Sequence, residues 1–279
     1  MEYSASVAEN PTITIVPIAG EEFTKRILRP LDESHVDCLV RQGFDLSMVL
    51  RLVARGLAIE GDEGSTLLSN SPSHEAEYRE FRRRVLHLAS LDFQKRLRIT
   101  PITFEEAYPV ALDRALTPAE VVAAFQHGYR WTAGEAQQPT RMTRKVTGRF
   151  AITNYDLNRL SNDERRQLNE MVERLPPDRH FVDVRPEHPG GDYPLRGFIL
   201  LRSFNSTISF VARGIGEERG YPVDKDPRTG PVPRNPARVL EIEESSARLS
   251  EAEFSVEFEG KHYAIRKFPI SEGMVPSWN

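Results

Sequence analysis

The sequence predicts an α+β protein, with a mixed, mostly antiparallel sheet packed by amphipathic helices in one large domain or two tightly associated halves. Three observations lead there. Leu195 to Leu201, LRGFILL, has too few polar residues to alternate, as a strand covered on both faces requires. Directly after it Phe204, Ile208, Val211 and Ile215 fall on one helical stripe, which predicts a core helix closed by Gly214. Elsewhere, Thr117-Pro118-Ala119-Glu120 and Ser161-Asn162-Asp163-Glu164 are capping boxes, each a specific signal for a helix start.

Taken in order, residues 1–10 are polar and read as a flexible arm, and TITIV from Thr12 to Val16 as a strand between two prolines. Glu21 to Leu28 is acidic at its start and basic near its end, as a helix dipole prefers, and Pro30 stops it. Ser34 can cap a second helix that ends at Gly43. Asp45 can cap a third, with Leu46, Val49, Leu50 and Val53 as its apolar stripe and Gly56 as its close. Val53-Ala54-Arg55-Gly56 matches Val211-Ala212-Arg213-Gly214, which a common helix ending explains as well as a duplication does.

Gly61 to Ser73 reads as loop by composition. Tyr78, Phe81, Val85 and Leu88 then mark an amphipathic helix whose other face carries Arg79, Arg82, Arg83 and Arg84. Phe93 to Ile102 reads as strand, Pro118 to His127 as helix, and Tyr129 to Ala133 as a short strand. GEAQQPT, Gly134 to Thr140, is the best linker in a helix-rich half spanning 11–140. The half from 141 to 279 is sheet-rich. It holds a long strand from Arg141 to Tyr155, a helix with Leu168, Met171, Val172 and Leu175 inward, and a strand from His180 to Val184. Residues 216–236, with prolines at 222, 227, 231, 233 and 236, predict an extended surface arm or linker. Arg238 to Glu243 resumes strand, and Phe254 to Phe258 with His262 to Arg266 predicts a hairpin.

In this order, PTITIVPIAGEEFTKRILRPL from Pro11 to Leu31, the helix ending at Gly56, the Leu195–Ile215 run, the proline-rich arm and the last hairpin resemble an uncharacterised family of bacterial envelope proteins, many of them predicted lipoproteins. The likeness spans most of the chain. It implies an envelope or periplasmic location and brings no activity, cofactor or site residue with it. The N-terminus MEYSASVAENP departs from that family, having no basic and apolar export signal and no lipid-bearing cysteine, which makes a cytoplasmic location the alternative.

Composition narrows the function classes. Apolar residues at 39% with 28% charged fit a folded globular chain, and a net charge of −4 argues against duplex nucleic acid as the main partner. The one cysteine, Cys38, can form no internal disulfide and no Cys-based zinc site. No run approaches the ~18 apolar residues of a membrane span.

Three constellations stand out. His180, Asp183, Glu187, His188 and Asp192 are the densest metal-capable set, yet His180 and Asp183 lie on opposite faces of a strand, and Glu187, His188 and Asp192 flank a flexible Pro-Gly-Gly loop. A metal-dependent hydrolase would draw on His180, Glu187, His188 or Asp192. Arg82 to Arg84 suggest phosphate or nucleic-acid binding, against a solvated basic face paired with Glu75, Glu77 and Glu80. Glu241, Glu243 and Glu244 with Lys261 and Lys267 suggest a nuclease, although alternation with Leu240 and Ile242 is the pattern of any half-exposed strand. Neither a nucleophile elbow nor a phosphate-binding glycine loop is present, and no residue set calls for a cofactor. The leading expectation is therefore a non-catalytic protein-binding or scaffolding component, with Tyr221, Arg228 and Arg234 of the arm as its candidate contacts.

Overall fold

The computed structural model describes residues 20–61, 64–109, 117–132, 141–216, 220–247 and 252–266. The strand expected at Thr12 to Val16, the arm at 1–10 and the linker at 134–140 lie outside them. The mixed, mostly antiparallel sheet is present. Its strands run β1 (Ala54–Gly61), β2 (Gly64–Ser69), β3 (Arg98–Pro109), β4 (Tyr129–Thr132), β5 (Arg141–Thr153), β6 (Arg179–Val184) and β7 (Leu195–Leu201). Their spatial order is β2-β1-β7-β6-β5-β3, with β4 also paired to the start of β5. Every pairing is antiparallel except β5 with β6, where Ala151 to Thr153 lie beside Phe181 to Asp183. Strands from both sides of residues 134–140 thus share one sheet. A separate three-stranded sheet has the order β8-β10-β9, from β8 (Ile242–Ser245), β9 (Ala252–Phe258) and β10 (Lys261–Arg266).

Strand β7 is apolar because both its faces are covered. Leu195, Ile199 and Leu201 join Val182, Val184 and Leu57 in one core, to which α3 (Leu46–Val53) adds Leu46, Val49, Leu50 and Val53 and α4 (Glu75–Phe93) adds Phe81, Val85, Leu88 and Leu91. On the opposite face Phe198 meets Phe181, Ile102, Tyr155 and Val172, the last from α6 (Asn162–Glu173). Backbones crowd where β7 meets β1: a Cβ on Gly197 would lie 2.0 Å from the Ala58 carbonyl oxygen. Gly197→Ala is expected to lower stability in urea by about 3 kcal/mol. Gly214→Ala, in a helix and in open space, is expected to raise it by roughly 0.5–1 kcal/mol.

Both capping boxes form. Thr117 opens α5 (Pro118–Gln126) and Ser161 opens α6, each with reciprocal bonds to the glutamate three residues on. Helices α1 (Glu21–Leu28) and α2 (Glu33–Arg41) also stand where expected, although the cap of α2 is Asp32, whose carboxylate accepts from the Ser34 N–H at 3.0 Å.

Other expectations are corrected. Helix α3 stops at Val53, and Gly56 lies inside β1, where a Cβ would sit 2.6 Å from the Leu68 carbonyl oxygen across the hairpin. The helix ends there because side chains from distant segments cap it: Asn70 Nδ2 donates to the carbonyls of Arg51 and Ala54, and Arg202 Nη1 to those of Leu52 and Ala54. The matching Val-Ala-Arg-Gly at 211–214 is wholly helical, so four shared letters adopt two conformations and the match does not mark a duplicated structural unit. Gly64 to Ser69, expected as loop, is the edge strand β2; its only buried side chain is Leu68, too little for a period-2 signal. Phe93 ends α4 rather than starting a strand, and β3 begins at Arg98.

Helix α7 (Phe204–Gly216) exists but buries no residue. Phe210, Val211 and Gly214 turn inward, while Phe204, Ile208 and Ile215 of the expected core stripe face outward. Residues 220–236 form no ladder, as their prolines require, but they are neither arm nor linker: Val223, Asp226 and Thr229 are buried, and the segment is bonded to α4 along its length.

Candidate functional site

The metal-capable residues do not converge. His180 faces the α3–α4 core with neither ring nitrogen bonded, and burial, reinforced by the Arg149 charge, holds its pKa down to about 3. Asp183 emerges on the other face and accepts from the Tyr155 hydroxyl and from Arg185 Nε, both at 2.8 Å. His188 stacks on the Tyr155 ring at 5.1 Å, while Glu187 and Asp192 are exposed. Asn154 pins this loop through reciprocal bonds to the Arg185 backbone at 2.9 Å. Among the described residues no three of His, Cys, Asp and Glu gather in a way that could hold a metal ion. Nothing in the local sequence marks Tyr155 as the partner of Asp183, 28 residues away.

The arginines of α4 diverge. Arg79 pairs with Glu75 at 2.8 Å, Arg83 reaches Glu80 at 3.9 Å, and Arg84 stacks on Tyr193 at 3.6 Å while donating to Glu80 and to the Pro194 carbonyl. Arg82, assigned to the outer face, is 0% exposed. It stands four residues after Tyr78 and three before Val85, within the buried stripe itself. A continuous basic face is therefore absent, and with it the geometry for phosphate binding by Arg82 to Arg84.

The arm's contacts are made within the chain. Tyr221 packs edge-on against Tyr78 at 5.2 Å under the Arg79 guanidinium. Arg228 grips Asp226 through two bonds of 2.7 and 2.9 Å, holding that carboxyl well below its usual range, and stacks on Tyr193 at 4.0 Å. Arg234 is half-buried. A proline-rich segment still has carbonyls to satisfy, and two buried guanidiniums do so. Arg51 donates to the carbonyls of Pro236 at 2.7 Å and Ala237 at 2.9 Å, and Arg82 to the Asn235 side chain at 2.6 Å and to the Pro236 carbonyl at 3.3 Å. On the small sheet Glu243 and Glu244 point to opposite faces and Glu244 pairs with Lys261, and among the described residues Glu241, Glu243 and Glu244 form no metal-capable group; Lys267 lies outside the described residues.

The small sheet supplies the feature that sequence reasoning missed. Phe254, Val256 and Phe258 alternate along β9 and share one face, at 66, 53 and 62% exposure. Directly opposite on β10 stand Ile265, Tyr263 and Lys261, and Ile242 of β8 lies beyond Ile265. The signal was visible in FSVEF, but such an alternation is ordinarily read as a face turned to the core.

Comparison with known proteins finds no matching family model, no matching curated protein and no matching solved structure. Among the described residues no helix is long and apolar enough to cross a membrane.

Proposed function

We propose that this protein is a non-catalytic binding component that receives an amphipathic helix of another protein on the β8-β10-β9 sheet. The single observation that carries this reading is the exposed apolar row Phe254, Val256 and Phe258 with Ile242 beside it. A sheet with one apolar face needs a second layer, and a contiguous apolar patch of this kind on a protein surface marks an interaction site. A helix fits best. The seven residues of β9 extend for roughly 23 Å at ~3.4 Å each, which about 15 helical residues span. The Glu244–Lys261 pair on the same face offers one charge of each sign to the partner's polar flank.

A photo-cross-linking residue in place of Phe254, in cells expressing the full chain, is expected to give one discrete adduct that Phe258→Glu removes. An adduct unaffected by Phe258→Glu overturns the proposal, and so does a sedimentation result in which the wild type is a dimer dissociated by Phe258→Glu, since the occupant is then a second copy. The location we propose is the cell envelope, on the resemblance in segment order alone. Fractionation of the same cells tests it, and recovery in the cytoplasm overturns it.

A further inference from the structure

Three guanidinium groups lie in the interior, on α3, on α4 and just after β7. Arg51, Arg82 and Arg202 are 1, 0 and 5% exposed. Their oxygen partners are all neutral: backbone carbonyls, the Tyr78 hydroxyl and the Asn235 amide. Buried charges are ordinarily paired, yet none of the three bonds a carboxylate, and Asp45 acts on Arg51 only through space. Burial draws Arg51 down to about 10, with the charge of Arg82 adding to it, and draws Arg202 down to about 9. The Nε atoms of Arg51 and Arg82 are buried without any hydrogen-bond partner.

Beside these groups a cavity of about 30 Å³ opens between α7, α3, α4 and residues 238–240. Arg51, Tyr78 and Arg238 form its polar wall, and Phe210, Val211 and Leu240 its apolar one. Arg202 reinforces that wall from behind, its guanidinium stacked 3.7 Å from the Phe210 ring. The volume holds about two water molecules or one carboxylate group. A doubly charged phosphate would have to shed more water against an apolar wall, whereas a singly charged planar carboxylate matches the guanidinium edge.

We propose that this cleft binds the carboxylate of a small apolar acid, its oxyanion facing Arg51, Tyr78 and Arg238 and its hydrocarbon leading out of the cleft past Phe210, Val211 and Leu240. Such a carboxylate belongs either to a free short-chain acid or to the C-terminus of a peptide. Calorimetric titration of the full chain at fixed ionic strength, with butyrate, butyramide, acetyl-Ala-Leu, its C-terminal amide and inorganic phosphate, separates these.

Saturable one-to-one binding of butyrate, of acetyl-Ala-Leu or of both, with the matching amides inert, supports the site and identifies the source. Arg238→Gln, at the edge of the cleft, is expected to weaken that binding about tenfold without changing the melting temperature, the loss of one charge-assisted contact. Tyr78→Phe keeps the ring and removes the hydroxyl, and is expected to weaken it comparably. The proposal is overturned if acid and amide bind alike, if phosphate binds more tightly than both acids, or if Arg238→Gln binds as the wild type does. None of these results depends on whether a helix docks on the β8-β10-β9 sheet.

Discussion

Replacing Arg149 by methionine is expected to destabilise the fold by about 3–5 kcal/mol, the cost of stranding one partner of a buried ion pair. Arg149 lies on β5 and reaches Glu33 of α2 through Nη2 at 3.0 Å and Nε at 3.2 Å, with the two side chains only 14 and 10% exposed. The Phe150 N–H completes the carboxylate's shell at 2.6 Å. Burial raises the Glu33 pKa, and the bonds from Arg149 and Phe150 work against that rise. The same guanidinium donates to the carbonyls of Val172 at 2.9 Å and Leu175 at 3.1 Å, closing the C-terminus of α6, and to Arg179 at 2.6 Å where β6 begins. One side chain thus ties a helix on one face of the sheet to a helix on the other. Urea denaturation measures the loss. Glu33→Gln combined with Arg149→Met should recover part of it, because the stranded charge is then gone while the open carbonyls remain. A single variant within 1 kcal/mol of the wild type would show that solvent reaches the pair.

What could be read from the chain, and what could not, divides by the range of the interaction. The boxes at Thr117 and Ser161, the stripe from Leu46 to Val53 and the two-sided apolarity of Leu195 to Leu201 are written within one element, and each formed. The end of α3 is not written there, since Asn70 and Arg202 that cap it come from elsewhere in the chain. The same holds for the proline-rich segment. Its prolines announced the missing ladder, but its docking rests on carbonyls taken up by Arg51 and Arg82, 185 and 154 positions away. Arginine carries no outward sign of burial, so Arg82 was assigned by its charge although its spacing from Tyr78 and Val85 placed it inside. Helix α7 shows the opposite failure. Its apolar stripe was identified, yet no local rule says which face of an apolar helix meets the core, and Phe204 and Ile208 face out. For function, the local patterns around His180 to Asp192 drew attention to ionisable residues, whereas the candidate surface is made of phenylalanines.

His180→Leu is expected to remove a component of acid lability while leaving neutral-pH stability unchanged or higher. The ring is fully enclosed on β6 with neither nitrogen bonded, and its folded pKa is about 3 against an ordinary 6.5. The shift is downward, so the folded chain refuses a proton that the unfolded chain accepts. The contribution is complete above pH 6.5 and is lost as pH falls from 6.5 toward 3, at up to about 1.4 kcal/mol per pH unit. Across two units the wild type should therefore lose roughly 2–3 kcal/mol more than the leucine variant, which carries no such proton. His87 is also lowered by burial and contributes its own acid slope, so the test is the difference between the two proteins and not the slope of either. Leucine fills a similar volume and leaves no orphaned ring nitrogens, which is why the neutral-pH change runs toward stability. Parallel slopes for the two proteins between pH 6.5 and 4.5 would show that the imidazole titrates normally in the fold. The two variants are also linked: with Arg149 replaced, a charge that opposes protonation of His180 is gone, so the imidazole resonances of Arg149→Met should titrate at higher pH than those of the wild type.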